Sequence, residues 1–448
     1  MTKKYFGTDG IRGKANSFPM TADMALKVAM ATAHVLKQEV GPEKNRVVIG
    51  KDTRLSGYML EQAMASGFVA MGMDVIRTGP IPTPAVARLV TSLRADIGVM
   101  ISASHNPYQD NGIKLFGADG FKLSDAIEEK IEAFIDQDME PFLPSPDNIG
   151  KATQMSDAGG RYVEYIKRSF PRGQNLEVMK IVVDCANGSA YKVAPQVLWE
   201  LEADVITIGD KPDGRNINDK FGATSLENLQ DKVIEEKADI GIALDGDADR
   251  LIIIDETGAI VDGDQILGLL GVSMREHNEL HGGVVATVMS NLGLERFFEK
   301  ENIPFIRTNV GDRYVVEAMR QHNYNLGGEQ SGHIILSDYS TTGDGLMAAL
   351  QVLRTVYEYQ KPVSEVCHVF EPLPQHLKNV RYSGATPLEQ DKVKSVISKV
   401  EKDLEGRGRL LVRASGTEPL IRVMAEGDDF DLIYKLVDEV CGVIEKAA

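Results

Sequence analysis

Ala95-Asp96-Ile97-Gly98-Val99-Met100-Ile101-Ser102-Ala103-Ser104-His105-Asn106-Pro107 is the stretch on which the reading of this chain turns. The apolar run from Ile97 to Ile101 predicts a buried strand. The polar residues that follow therefore fall on a loop at the strand's carboxyl end, where open α/β sheets keep their ligands. Pro107 stops the chain from continuing as strand or turning at once into helix. A serine in that place, followed directly by His105, has the setting of a nucleophile. Ser, Asn and Pro are also turn formers, so taken alone the segment Ile101 to Pro107 leaves both readings open.

The tetrapeptide Ala95-Asp96-Ile97-Gly98 has a counterpart in Ala238-Asp239-Ile240-Gly241, which leads into Ile242-Ala243-Leu244 and an acidic loop. Each is preceded by two further apolar runs, Val47 to Gly50 and Val75-Ile76 in the first case, Ile181 to Val183 and Val205 to Thr207 in the second. A third round runs through Val284-Val285-Ala286, Pro304-Phe305-Ile306 and Asn325-Leu326-Gly327. Eight residues beyond Asp96, Asp239 and Asn325 stand Ser104, Asp247 and His333. The pattern predicts three related α/β units, each offering one polar loop from the same topological place. Pro141, Pro144, Pro146 and Gly159-Gly160 separate the first from the second, Asp255 to Gly258 is a turn between second and third, and Phe370 to Pro374 closes the third. The rest predicts a strand near Val380, a helix with Val393, Val396, Ile397, Val400 and Leu404 on one face, strands around Leu411 and Ile421, and a last helix carrying Leu432, Leu436, Val440 and Ile444. The expectation is thus three similar α/β domains with mixed sheets, at 1–157, 158–256 and 257–371, and a smaller α+β domain at 372–448.

With 448 residues, 43% of them hydrophobic, the chain has the bulk for several full cores. A net charge of -17 argues against a nucleic-acid or anionic-membrane binder, which must concentrate positive charge where the phosphates lie. Cys185, Cys367 and Cys441 are far apart and in no metal-ligand spacing, which predicts buried thiols of a cytoplasmic protein. The amino-terminal stretch reaches Gly7 before it builds an apolar run, and no run approaches a membrane span, so neither export nor anchoring is expected.

Asp245-Gly246-Asp247-Ala248-Asp249-Arg250 carries the strongest chemical signal. Three carboxylates at alternate positions on one loop need protons or a cation to offset their repulsion, and oxygen-only ligands favour magnesium or calcium. A calcium-binding EF-hand loop would place glycine where Arg250 stands, and Leu251 to Ile254 predicts a buried strand instead of the rest of an open loop. Gly327-Gly328-Glu329-Gln330-Ser331-Gly332-His333 lacks the spacing of a dinucleotide fingerprint, and the chain has no Walker-type Gly-Lys-Ser. Glu329 and Ser331 suit neighbouring hydroxyls of a sugar, and His333 can move a proton. Arg413-Ala414-Ser415-Gly416-Thr417-Glu418-Pro419, with Arg422, offers backbone N–H groups, hydroxyls and a guanidinium fork, which predicts a phosphate cradle. Near the start, Phe6 to Gly13 packs three glycines beside Arg12, an anion contact or an ordinary surface charge.

Taken together and in this order, Phe6 to Gly13, Ser102 to Pro107, Asp245 to Arg250, Gly328 to His333 and Arg413 to Pro419 resemble the motifs of the α-D-phosphohexomutase superfamily. Glu329-Gln330-Ser331 and Thr308 to Val315 resemble its bacterial amino-sugar branch; the phosphomannomutase/phosphoglucomutase branch tends to have Met where Gln330 stands. The resemblance implies four domains around a central cleft. It implies that Ser104, not Ser102, carries a phosphoryl group, and that Asp245, Asp247 and Asp249 bind Mg2+ with it. Lys114 and His333 match positions assigned to acid and base work, with Arg12, His105 and Arg250 around the transferring group. Glu329, Gln330 and Ser331 would read the sugar; Arg413, Ser415, Gly416, Thr417 and Arg422 would hold the other phosphate. The implied reaction interconverts glucosamine 6-phosphate and glucosamine 1-phosphate through glucosamine 1,6-bisphosphate, feeding UDP-N-acetylglucosamine and cell-wall precursor synthesis in the cytoplasm. The partner is then a small hexosamine phosphate, with no nucleic acid and no membrane, and self-association as a homodimer stays open. A phosphomannomutase/phosphoglucomutase or a metal-dependent sugar phosphatase is the alternative.

Overall fold

The computed structural model describes residues 4–7, 9–41, 46–384, 386–414 and 419–447. Four sheets lie among them. The first contains β1 (Ile11–Lys14), β2 (Arg46–Lys51), β3 (Asp74–Pro80), β4 (Ile97–Ile101), β5 (Asp110–Gly117) and β6 (Ala152–Gln154), in the order β1-β5-β4-β2-β3-β6. The second contains β7 (Lys180–Asp184), β8 (Asp204–Ile208), β9 (Ile240–Leu244), β10 (Leu251–Asp255) and β11 (Ile260–Val261), ordered β11-β10-β9-β7-β8. The third contains β12 (Val284–Thr287), β13 (Phe305–Thr308), β14 (Leu326–Gly328) and β15 (Ile334–Leu336), ordered β13-β12-β14-β15. One core recurs in all three: β5-β4-β2-β3, β10-β9-β7-β8 and β15-β14-β12-β13. In each, two parallel neighbours (β2 and β4, β7 and β9, β12 and β14) are followed by an antiparallel return strand.

The matched tetrapeptides have a physical cause. A carboxylate oxygen of Asp96 accepts the N–H of Arg46 at the head of β2 (2.8 Å), and one of Asp239 accepts that of Lys180 at the head of β7 (2.7 Å). The Asn325 side-chain carbonyl accepts from the N–H of His281, just ahead of β12 (2.8 Å). Two residues earlier Arg94, Lys237 and Asn323 take left-handed φ angles of 53°, 52° and 55° at the ends of helices. The next N–H, of Ala95, Ala238 or Tyr324, returns to the carbonyl of Val90, Val233 or Met319 in the helix just finished. Glycine then lets that helix lie on the strand. A Cβ on Gly98 would come 2.5 Å from Val90, on Gly241 2.7 Å from Val233, and on Gly327 2.6 Å from Met319, the same three residues. All residues of β4 and β9 are buried, as parallel strands covered on both faces must be.

By compactness the chain forms two units, Met1–Thr287 with Ile306–His368, and Val288–Phe305 with Val369–Ala448. The second holds β16 (Gln375–Arg381), β17 (Gly408–Ala414) and β18 (Leu420–Gly427), an antiparallel sheet ordered β16-β18-β17. Helices Asp391–Asp403 and Phe430–Ala447 cover it, burying Val393, Val396, Val400, Ile433, Val437 and Val440 against Val380, Ile421 and Val423. Helix Leu292–Glu301 belongs to this unit, where Leu292 N–H donates to Glu426 (3.0 Å) and Arg296 pairs with Asp428 (2.6 Å). No helix among the described residues is long and apolar enough to cross a membrane. The return strands β5 and β15 have no counterpart in the sequence reading. Asp110-Asn111-Gly112 carries the composition of a turn, which hides the start of β5.

Candidate active site

Ser104 lies just past the carboxyl end of β4, with only 2% of its surface exposed and φ at 51°. A non-glycine residue in the left-handed region costs about 1–3 kcal/mol and persists only where its surroundings over-determine it. The surroundings here are specific. Arg54, fully buried, donates through Nη2 to the carbonyls of Ser104 and Asn106 (both 2.8 Å) and through Nη1 to those of Pro107 and Asp110. Its Nε donates to Asp52 (2.7 Å), whose same oxygen accepts the Ser102 hydroxyl (2.7 Å). Ser102 Oγ in turn accepts the N–H of Ser104 (2.9 Å). Asn218 adds a second donor to the Ser104 and Asn106 carbonyls (2.9 and 3.1 Å). Ser102 is thus spent on holding the loop, whereas the Ser104 hydroxyl is aimed outward, donating to Asp245 Oδ2 at 2.6 Å with His105 Nδ1 3.3 Å away.

Asp245, Asp247 and Asp249 follow β9 in the equivalent place. All three are buried, and ligand oxygens from them lie within 4.8 Å of one another. Gly246 admits no side chain, since a Cβ there would come 2.6 Å from the Ser104 carbonyl. Asp247 Oδ2 accepts from Thr83 Oγ1 (2.6 Å) and Lys114 Nζ (2.9 Å), but Oδ1 of Asp247 and Oδ1 of Asp249 are buried without a hydrogen-bond partner among the described residues. Leaving such an oxygen unmatched costs about 1–3 kcal/mol or more for a charged group. Burial, then Asp249 and Asp247, push the Asp245 carboxyl well above the usual carboxylate range. Asp249 goes the other way: against burial, Lys114 and His333 hold it well below that range. Three clustered carboxylates with two orphaned oxygens fit a hard divalent cation.

Lys114 comes from β5, opposite Met100 of β4. Its ammonium sits 2.9 Å from Asp247, 3.3 Å from Asp9 and 3.4 Å from Asp249, and these carboxylates, against burial, raise its pKa well above the ordinary lysine value. Asp9 and Arg12 reach it because the amino-terminal motif lies on β5, Arg12 opposite Gly112, and a Cβ on Gly10 would come 2.2 Å from the Ile113 carbonyl. Arg12 pairs with Asp9. His105 is pushed down to about 4 by burial, then by Arg250 and Arg12, so the ring is neutral near pH 7. His333 Nδ1 is 3.6 Å from Asp249 Oδ1, and its Nε2 accepts the Gly343 N–H (3.1 Å) with Asp312 Oδ2 3.5 Å away. Gly343's donation favours the neutral ring with the proton on Nδ1; Asp249 and Asp312, against burial, raise the pKa. Glu329 accepts the Gly311 N–H (3.0 Å) and the Ser331 hydroxyl (3.3 Å), while the Gln330 amide donates to Asp262 (3.1 Å).

In the other unit, Arg413 and Arg422 stand directly opposite each other on β17 and β18. Burial and Arg422 lower the Arg413 pKa, and Arg413 Nε has no hydrogen-bond partner among the described residues. Two facing cations with a free donor suit an anion. Ser415, Gly416 and Thr417 lie outside the described residues.

Four family models cover the chain: phosphoglucomutase/phosphomannomutase α/β/α domain I over residues 3–141, domain II over 160–258, domain III over 262–373, and the C-terminal domain over 377–443. A phosphoglucosamine mutase of Azorhizobium caulinodans is 60% identical over the full length of both chains, and one of Brucella ovis is 59% identical over 99% of this chain and 98% of its own. The chain belongs to the phosphoglucosamine mutase branch of the phosphohexomutases. Among solved structures, a phosphoglucomutase/phosphomannomutase family protein of Burkholderia thailandensis matches with a TM-score of 0.80 at 23% identity, covering 98% of this chain and 97% of its own. The Aspergillus fumigatus N-acetylphosphoglucosamine mutase, solved with GlcNAc-6P and magnesium, matches at 0.65 and 19% identity, over 99% and 96%. At those identities the two structures attest the shared fold.

Within this branch's motifs, the structure gathers Arg12, Ser104, His105, Lys114, the three aspartates, Arg250 and His333 around one cluster. Asp9, Asp52, Arg54, Thr83, Lys122, Asn218 and Asp312 join it without having been singled out by the sequence. Asp9 and Asp312 sit inside stretches that the sequence did mark, Phe6 to Gly13 and Thr308 to Val315; Asp52, Arg54 and Thr83 follow strand ends outside any such stretch, and Asn218 and Lys122 stand where the sequence gives no signal.

Proposed function

We propose that the protein interconverts glucosamine 6-phosphate and glucosamine 1-phosphate, with Ser104 as the phosphoryl carrier and glucosamine 1,6-bisphosphate as the intermediate, in the cytoplasm. The observation that carries this reading is the Ser104 hydroxyl at 2.6 Å from Asp245, on a loop whose Ser104 and Asn106 carbonyls and Ser104 N–H are all committed to holding it still. A carrier must present one oxygen to two ends of a substrate in turn, and phosphoryl transfer asks for positioning and charge compensation above all.

In the first half-reaction the phosphoryl group on Ser104 passes to O1 of glucosamine 6-phosphate: the P–Oγ bond breaks, the P–O1 bond forms, and O1 gives up its proton. Oγ takes a proton as it leaves; after the bisphosphate has turned round, the P–O6 bond breaks, the P–Oγ bond forms with loss of the Oγ proton, and O6 takes a proton, leaving glucosamine 1-phosphate and the phosphoserine. Lys114 and His333 flank Ser104 and its carboxylate partners and handle those protons. Arg12, His105 and Arg250 surround the transferring group. A magnesium ion held by Asp245, Asp247, Asp249 and the phosphoserine would offset charge on that group. Glu329 and Ser331 offer an acceptor and a donor to the sugar's hydroxyl edge. Arg413 and Arg422, with Ser415, Gly416 and Thr417, are assigned to the phosphate that is not reacting. The domain division at 1–157, 158–256, 257–371 and 372–448 gives each of these four tasks its own domain.

The test is a coupled assay with glucosamine 6-phosphate, glucose 6-phosphate and mannose 6-phosphate, together with the intact mass of the purified protein before and after phosphatase treatment and a peptide map around Ser104. Expected are glucosamine 1-phosphate as product, a higher kcat/KM for glucosamine than for glucose or mannose phosphates, and one phosphoryl group on Ser104. Release of inorganic phosphate without sugar 1-phosphate would replace the reading by a phosphatase.

A further inference from the structure

Lys122 lies outside every motif that marks the reaction, yet it ends at the centre of the site. Its side chain is 13% exposed, and Nζ bridges two carboxylates, Asp9 and Asp312, the latter at 2.5 Å. The two belong to different α/β domains. Asp9 sits in the amino-terminal motif and holds both Arg12 and Lys114. Asp312 opens helix Asp312–His322 of the third domain, the one that carries the sugar-reading loop. It stands 3.5 Å from His333 Nε2. The residue before it, Gly311, donates its N–H to Glu329 at 3.0 Å. The residue after it, Arg313, pairs with Asp125 and with Glu128 (3.0 Å) and reaches the Leu123 carbonyl (3.3 Å), all on the first domain beside Lys122.

We infer that Lys122 is a positioning residue that sets Glu329 and His333 in place over Ser104 by clamping the start of helix Asp312–His322 to the Asp9 turn. The inference rests on the mutase reading and deepens it. A partly buried ammonium shared by two carboxylates is a demanding arrangement: without it Asp312 faces Asp9, itself still paired with Arg12 and Lys114, with no cation between the two, and the helix start is left to the contacts of Arg313. Displacement there shifts the sugar-reading carboxylate through Gly311 and the imidazole through Asp312. Geometry within about 1 Å matters for both binding and transfer, and misplacement of that size can cost on the order of a hundredfold. Lysine suits the task because its compact, rotatable ammonium can divide its donors between two partners, where a planar fork would favour one.

The experiment compares wild type, Lys122→Met, Lys122→Arg and Asp312→Asn in steady-state kinetics with glucosamine 6-phosphate, with thermal melting as the folding control. Lys122→Met is expected to raise KM and lower kcat together, by about tenfold each, at a melting temperature near that of wild type. Lys122→Arg should recover part of both parameters, since the charge returns but a planar fork serves one carboxylate better than two. Asp312→Asn should mirror Lys122→Met, and the double variant should cost little more than the worse single one, since residues acting through one contact are not additive. Charging of Ser104 by added bisphosphate, read by intact mass, should survive in all of them. Unchanged KM and kcat in a folded Lys122→Met, or full additivity in the double variant, would overturn the inference. Should Lys122→Met fail to fold, Asp312→Asn, which keeps the shape of its side chain, carries the same decision. Failure of the mutase reading looks different: wild type itself would then not turn over glucosamine 6-phosphate.

Discussion

The loop after β4 and the loop after β9 occupy the same place in two copies of one fold and are finished in opposite ways. Around Ser104 the backbone carbonyls of Ser104, Asn106, Pro107 and Asp110 are all met by Arg54, and Asn218 doubles two of those contacts. Around Asp247 and Asp249, buried carboxylate oxygens are left with no donor among the described residues. Saturation fixes a geometry, and the Ser104 hydroxyl, which points across to Asp245 instead of bracing the loop, is where chemistry can be placed. Lack of saturation does the reverse: it leaves a standing demand for a cation. The difference supplies a criterion for telling holding residues from acting ones, and it separates Ser102 from Ser104 where the sequence alone left them equal.

The sharpest way to break that distinction is to exchange the two serines for alanine. Ser104→Ala is expected to lower mutase activity by at least about a thousandfold, because the proposed carrier oxygen is lost and Ser102 is engaged with Asp52 and the Ser104 N–H. The protein should then show no phosphoryl adduct by intact mass. Ser102→Ala removes two hydrogen bonds, to Asp52 and from the Ser104 N–H, worth about 1 kcal/mol each, so its activity should fall roughly tenfold to thirtyfold with the adduct still on Ser104. Equal loss in both, or an adduct on Ser102, would remove the criterion.

Next in size is the unsaturated loop. Asp247→Asn keeps the shape of the side chain and the Thr83 contact but surrenders a charge. The apparent magnesium constant for activity should rise at least about tenfold, in line with the tenfold to hundredfold cost of disturbing even an outer contact of a metal site. Titrating Mg2+ against rate decides it, and an unchanged constant would put the metal elsewhere. The C-terminal unit provides the third test. Arg413→Ala should raise KM and let glucosamine 1,6-bisphosphate escape, with activity rescued by adding it back. One charge-assisted contact is worth about 1.5–3 kcal/mol, or about tenfold to a hundredfold in retention. Mass spectrometry of the supernatant reads the leak; loss of activity with neither leak nor rescue would make the paired arginines structural.

What could be seen beforehand follows the same division. The repeat was legible because Asp96, Asp239 and Asn325 each cap the head of a neighbouring strand and a glycine two residues on lets a helix touch the sheet, so local sequence and local contact coincide. The eight-residue offset to Ser104, Asp247 and His333 was legible for the same reason. Arg54, Asn218 and Lys122 were not, because their partners lie 50, 114 and 190 residues away and nothing in a solitary Arg, Asn or Lys announces a distant carbonyl or carboxylate. The return strand β5 was hidden by its turn-forming start, and with it the reason Lys114 reaches the aspartates.

Gln330 offers the smallest and most discriminating effect. By sequence it marks the amino-sugar branch and stands between two residues expected to face the sugar. In the structure its amide donates to Asp262, the residue that caps helix Gly263–Glu276 by accepting the N–H groups of Asp264 and Gln265 (both 3.1 Å). Its carbonyl accepts the Gly263 N–H (3.0 Å), and a Cβ on Gly263 would come 2.1 Å from the Glu329 carbonyl, so the loop is laid tightly on the helix start. Gln330 therefore belongs with the holding residues, and its influence on sugar choice passes through where it leaves Glu329 and Ser331. Gln330→Met gives up one hydrogen bond to a carboxylate, about 1.5–3 kcal/mol of loop placement, but because that contact braces the loop both hexose phosphates lose alike, and the ratio of kcat/KM for glucosamine 6-phosphate to that for glucose 6-phosphate should move by no more than about fivefold. Glu329→Ala, which strips the acceptor itself, should raise KM for every hexose phosphate by more than that. A shift in the ratio approaching a hundredfold in Gln330→Met would mean that the amide reaches the sugar directly, and the loop would then have to turn away from Asp262 when substrate binds.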